Sequence, residues 1–169
     1  MSILIVRESL FGNTAALARA VGDGLLAAGV TDVRVVGPEE APTTLDDDVE
    51  LLLVGGPTHA FSMTRASSRA DAVRQGATGP AAVGIREWIG SVAPRADLPV
   101  VTFDTRVKVR LIPGSAAKSA VGALRRAGFR RAEQGETFWV QGAPGPVRDG
   151  ELDRARAWGE TLARRVTTA

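Results

Sequence analysis

The chain has 169 residues, 44% of them hydrophobic, with no cysteine and a single histidine, His59. That composition excludes thiolate catalysis, protein-held iron–sulfur clusters and nearly every zinc pattern, so any redox chemistry needs a borrowed cofactor. The net charge is only +2, but it is unevenly placed: residues 1–85 hold 6 basic and 10 acidic side chains, and residues 86–169 hold 15 and 9.

Length and apolar content suit one domain spanning residues 1–169, since folding at this size buries about 70% of the unfolded surface. No apolar stretch nears the roughly 20 residues of a membrane span, and the first apolar run, Ile3–Val6, has no basic lead, so the expectation is a cytoplasmic protein with no membrane partner. Only 2 of the 21 basic residues are lysine. No aromatic-interleaved or helix-turn-helix pattern accompanies them, and nucleic acid is not an expected partner.

In chain order, short apolar runs alternate with helical patterns, which predicts strand-helix-strand units and a parallel sheet. Strands are predicted at Ile3–Arg7, Asp32–Val36, Glu50–Gly55 and Pro99–Asp104, with a fifth in Phe129–Gln141 split by the "EQGE" stretch. Helices are predicted at Asn13–Ala28, Ala81–Ser91, Ser115–Ala127 and Gly150–Val166. The first is expected to bury a stripe at Ala16, Ala20, Val21, Leu25 and Ala28, and Gly29 is its expected stop. Between the second and third strands there is room only for one or two helical turns around Glu39–Leu45. The segment Ser62–Pro80 has no clear pattern and reads as a long loop, either a lid or a mobile surface.

The corner after the first strand, "ESLFGNT" (Glu8–Thr14), is dense in hydroxyl, amide and glycine groups and has no basic residue. At the carboxyl end of a parallel strand, peptide N–H groups and a helix dipole make an anion site. Gly12 permits close approach, and Ser9, Asn13 and Thr14 can donate hydrogen bonds, so a phosphate can be held without Lys or Arg. The competing reading is a plain helix cap at Asn13 or Thr14, worth about 1 kcal/mol. The stretch lacks the Gly-Lys-Ser/Thr ending of triphosphate loops, which favours a monophosphate. Gly22, Gly24 and Gly29 fall inside or after the helix, at the wrong spacing for a dinucleotide turn.

Ser9-Leu10-Phe11-Gly12-Asn13-Thr14 resembles the FMN-phosphate signature of flavodoxins, Ser/Thr-x-x-Gly-x-Thr. "VGGPTHAF" (Val54–Phe61) is similar to that family's Gly-x-Pro-Thr-aromatic loop against the flavin ring. The resemblance implies a three-layer flavodoxin-like α/β fold with a five-stranded parallel sheet in the order 2-1-3-4-5. It also implies FMN as cofactor, held by Ser9 to Thr14, by Pro57, Thr58, His59, Ala60 and Phe61, and by a third loop at Phe103, Asp104, Thr105 and Arg106.

The ring end departs from the family pattern. Arg7 stands where Tyr or Phe is usual, His59 takes the inner aromatic position, and the third loop lacks its usual Gly-rich, Tyr-containing sequence. Phe61 or Arg106 is the candidate for the second ring face. Arg65, Arg69, Arg106, Lys108 and Arg110 are expected at the pocket mouth, where flavodoxins are acidic. Positive charge there predicts a less negative potential for the second electron.

Three function readings follow. The chain is an FMN electron carrier with a redox partner protein or a small donor or acceptor, monomeric or weakly dimeric. Alternatively it is a quinone-reductase-like FMN oxidoreductase whose 62–80 segment covers a substrate, or a cofactor-free binding or regulatory domain. A phospho-receiver domain is excluded because strand three ends in Gly55-Gly56-Pro57 rather than Asp. A serine hydrolase is excluded because no Gly-x-Ser-x-Gly elbow occurs.

Overall fold

Side chains alternate across a strand, so strands that are apolar throughout need cover on both faces. The computed structural model describes residues 2–109 and 113–167 and has this arrangement. Its strands are β1 (Ser2–Arg7), β2 (Asp32–Val36), β3 (Val49–Pro57), β4 (Val100–Val107) and β5 (Ala132–Val140). All neighbours pair in parallel, in the order β2-β1-β3-β4-β5, as the resemblance implies. The helices are α1 (Asn13–Ala27), α2 (Ala66–Arg74), α3 (Ile85–Ser91), α4 (Ala116–Ala127) and α5 (Glu151–Thr167). Among the described residues no helix is long and apolar enough to cross a membrane.

One face of the sheet sends Ile3, Ile5, Leu53, Val101 and Phe103 against α1 and α5. The other sends Leu4, Val6, Leu52, Val54 and Val100 against α3 and α4. Phe103, Phe138 and Trp158 form an edge-to-face triad with ring centroids 5.9–6.4 Å apart. α1 and α5 approach closely through two glycines: a Cβ on Gly24 would lie 2.0 Å from the Arg156 carbonyl oxygen, and one on Gly159 2.2 Å from that of Val21. Those contacts give Gly24 a packing role.

Four predicted elements need correction. The 62–80 segment is not a patternless loop, because residues Ala66–Arg74 form α2. It starts where the Arg65 N–H donates to Ser68 Oγ at 2.9 Å and stops before Gly76, which has φ +96. Only Arg69 and Ala72 are buried, so there was no apolar stripe to read. The fifth strand is continuous through "EQGE". Its pairing with β4 shifts from Thr102↔Gln134 to Asp104↔Thr137, absorbing one extra residue as a bulge.

The connection from β2 to β3 holds one hydrogen-bonded turn, Gly37–Ala41, slightly earlier than expected. With no full helix there, Leu45 packs beside Trp88 in the core, and Trp88 Nε1 donates to the Pro42 carbonyl at 3.1 Å. α3 begins at Ile85 rather than Ala81, after Gly84, whose N–H donates to Glu87 Oε2 at 3.0 Å.

Candidate functional site

β1 ends at Arg7 and α1 begins at Asn13, so Glu8–Gly12 must turn in five residues. Gly12 makes the last step with φ +90, and no atom lies within 4 Å of where its Cβ would be. The Ser9 hydroxyl accepts the Ala15 N–H at 3.1 Å and so caps α1 from outside it. The Thr14 hydroxyl pairs with that of Thr105 at 2.9 Å, tying α1 to β4. Among the described residues, the backbone N–H groups of Leu10, Phe11, Gly12, Asn13 and Thr14 have no acceptor in the chain. Five consecutive donors at a helix N-terminus, with Leu10 and Thr14 buried, form a cradle suited to one anion.

This cradle forms one end of a cavity of about 350 Å³ at the carboxyl ends of the strands. Away from the cradle it has Pro57, Thr58, His59 and Ala60 on one side and Arg106 and Val107 on the other, with Thr105 beside Thr14. Val140 and Ala143 close a third side.

Three expected site residues, Phe103, Phe61 and Asp104, lie outside the cavity lining. Phe103 is fully buried in the aromatic triad, because β4 runs on to Val107 and places residue 103 inside the strand, facing α1 and α5. Phe61 is 54% exposed and does not line the cavity. It sits with Ala60 in a two-residue turn in which both have positive φ, 45 and 66, closed by His59 and Ser62 exchanging backbone bonds. Of the two candidates for the second ring face, Arg106 lines the cavity, with its guanidinium bonded to the Gly114 carbonyl at 3.0 Å.

Asp104 is also buried and absent from the cavity lining. Its Oδ2 accepts from the Thr58 hydroxyl at 2.9 Å and the Ala117 N–H at 3.0 Å, and its Oδ1 from the Thr137 hydroxyl at 2.7 Å. It therefore organises the ring-end loop from beneath. The Thr58 hydroxyl also accepts the Ala116 N–H at 2.8 Å, which leaves it committed to the scaffold.

Sequence reasoning missed the wall supplied by α2, where Ser68, Asp71 and Gln75 line the cavity beside the cradle. The readable signal was a glycine, Gly76, closing a run of helix formers. α2 is held by a buried polar cluster. The Thr64 hydroxyl donates to Glu8 Oε1, and Glu8 Oε2 accepts the Ile85 N–H at 2.9 Å. Arg69 donates to Thr64 Oγ1 at 3.0 Å, to the Ala81 carbonyl at 2.9 Å and to Glu87 at 2.8 Å.

Glu8 and Arg69 are each 1% exposed. Arg69 is thus not at the mouth, where it was expected, while Arg65 and Lys108 are exposed, and Arg110 lies outside the described residues. Burial pushes the Glu8 carboxyl above its ordinary range, although the Thr64 and Ile85 bonds and the Arg69 charge oppose the shift. Burial also lowers His59, so its imidazole is neutral at pH 7.

A second depression, about 900 Å³, lies at the amino ends of β3, β4 and β5. Ligands in open parallel sheets bind at the carboxyl ends, and none of the motif residues is here. Several of its arginines are already bonded: Arg95 to the Asp46 and Val49 carbonyls, Arg131 to that of Asp97 and Arg165 to Glu133.

No family model and no curated protein matches the chain in sequence. Solved structures do match in shape. A flavodoxin from the domain Archaea superposes with a TM-score of 0.66 at 19% identity, over 99% of each chain. Megasphaera elsdenii flavodoxin superposes at 0.61 with 20% identity, over 96% of this chain and 98% of that one. The flavodiiron protein from Giardia intestinalis matches at 0.62 and 18% identity over 99% of this chain, which corresponds to only 36% of its own length. Strand order, helix placement and these superpositions together establish that the chain has the flavodoxin-like fold.

Proposed function

We propose that the chain binds one FMN and serves in electron transfer. The observation that carries this reading is the run of five acceptor-free amides, Leu10 to Thr14, at the end of β1. The cavity that continues from it toward His59 and Arg106 falls in the size range of small-molecule sites. The Ser9 hydroxyl, which accepts from Ala15, keeps its own proton to donate to a phosphate oxygen. Neutral His59 offers an apolar ring face with no charge to desolvate, and Arg106, held by Gly114, presents a planar cation at the opposite edge. The flavin supplies the one- and two-electron chemistry, while the chain supplies binding, orientation and local charge.

The visible spectrum of the purified protein tests the reading. Flavin bands restored by FMN, but not by FAD or riboflavin, are expected. A colourless protein that ignores added FMN overturns it and favours the cofactor-free domain. A second reading, an FMN oxidoreductase, draws on the α2 wall, where Ser68, Asp71 and Gln75 place polar groups beside the cavity. Rapid bleaching of the flavin by NAD(P)H alone would favour that enzyme over the carrier.

A further inference from the structure

Three segments meet around the mouth of the ring end. These are residues 58–65 after β3, residues 105–109 at the end of β4, and residues 113–118 leading into α4. They contain Arg65, Arg106, Lys108 and Lys118 and not one Asp or Glu. Arg106 and Lys108 both lie over the Trp139 ring, each 5.8 Å from its centroid.

The same face carries apolar surface. Phe61, Val107 and Val109 are 54%, 36% and 50% exposed, and they are three of the six large hydrophobic side chains exposed among the described residues. Phe61 and Val107 are joined through the fold: the Phe61 carbonyl packs on Gly114, Gly114 accepts from Arg106, and Val107, next to Arg106, lines the cavity. Phe61 is presented on a turn whose two central residues adopt the left-handed region, disfavoured for Ala and Phe. Folding that tolerates this conformation to hold a phenyl ring in water gives the ring the character of an anchor.

An apolar centre rimmed by cations of one sign is the anatomy of a docking surface steered by charge. The geometry points to this face as the docking site for an acidic electron-transfer protein, whose carboxylates ring its own redox centre and whose apolar contact covers Phe61 and Val107. The proposal rests on the FMN reading only for the purpose of docking; the binding itself needs no flavin. On the phosphate side the charge pattern changes, since α2 contributes Asp71 paired with Arg74, which marks the edge of the basic rim.

The test is titration of the ¹⁵N-labelled full chain, in the form in which it is purified, with three probes. They are an acidic plant-type [2Fe–2S] ferredoxin, basic cytochrome c and a single-stranded 15-nucleotide DNA. At 20 mM NaCl the ferredoxin is expected to shift amides in 58–65, 105–109 and 113–118, with affinity falling about tenfold or more by 300 mM as the charges are screened. The double variant Arg65→Glu/Lys108→Glu should weaken ferredoxin binding about tenfold while leaving the remaining amide shifts and the FMN uptake of the wild type unchanged.

Absence of ferredoxin binding, preference for cytochrome c, an affinity indifferent to salt or to the double reversal, or equal or tighter binding of DNA at this face each overturns the proposal. Failure of the FMN reading would be seen separately, in the spectrum. A yellow protein that ignores ferredoxin refutes the docking face alone, and a colourless one that binds it refutes the flavin alone.

Discussion

Replacing Arg69 by Met removes a guanidinium that is 1% exposed while keeping most of its volume, so the loss is electrostatic rather than a cavity. Three bonds go with it. The pair with Glu87 counts for little, because that carboxylate's side chain is 41% exposed. The bonds to Thr64 and to the Ala81 carbonyl are worth about 1 kcal/mol each. The larger effect falls on Glu8, joined to Arg69 through the shared Thr64 hydroxyl, which would be left buried without the Arg69 charge that favours its ionised form; leaving a buried charge uncompensated costs roughly 3–5 kcal/mol. A loss of about 3 kcal/mol is therefore expected, or about 6–12 °C in Tm for a chain of this size.

The loss should depend on pH. Glu8 already binds its proton more tightly when folded than when unfolded, so its contribution is most favourable below the ordinary carboxylate range and is lost as pH rises through its elevated value. Removing Arg69 raises that value further, so the variant should be hurt more at pH 8 than at pH 5. Urea unfolding of both proteins at the two pH values measures this, and adding Glu8→Gln should recover much of the loss at pH 8. A difference below about 1 kcal/mol, or one equal at both pH values, would refute the account of this cluster.

Other outcomes follow from the same geometry. Gly24→Ala should cost about 1–3 kcal/mol in chemical denaturation, since its Cβ would meet the Arg156 carbonyl at 2.0 Å. Gly90→Ala, a helical position with no atom within 4 Å, should instead stabilise by about 0.4–1 kcal/mol. Gly12→Val should abolish FMN uptake while calorimetry shows only the roughly 1–2 kcal/mol cost of a left-handed φ. The imidazole protons of His59 should titrate by NMR below the ordinary histidine range. With FMN bound, spectroelectrochemistry should find the second electron entering at a less negative potential than in acidic flavodoxins, by about 59 mV for each 1.4 kcal/mol of attraction from Arg65, Arg106 and Lys108.

The cradle was legible because its chemistry is local. Ser9, Gly12 and Thr14 sit within six residues, and the turn between an apolar strand and a helix dictates where their donors face. The strand order came from resemblance and from alternation strong enough to survive without tertiary information. The ring end was harder, because its roles depend on where a strand stops. Three more residues of β4 were enough to move Phe103 into the core and to turn Asp104 from a wall into a support. α2 was invisible for a different reason: its buried contact is a charged residue, Arg69, bonded to Thr64, Ala81 and Glu87 and linked through Thr64 to Glu8, 61 positions earlier, and no hydrophobic period records such a cluster.

The close fit of α5 on α1 bears on how the chain is made. Leu17, Val21 and Leu25 of α1 belong to the cluster completed by Ala155, Leu162 and Ala163 of α5. About 140 residues separate the end of α1 from the end of α5. At the usual 5–20 residues per second, a ribosome needs roughly 7–28 s to bridge that gap. Throughout that interval the first helix is outside or emerging without the α5 cover of its apolar stripe, so the nascent chain is more exposed to aggregation than the finished protein.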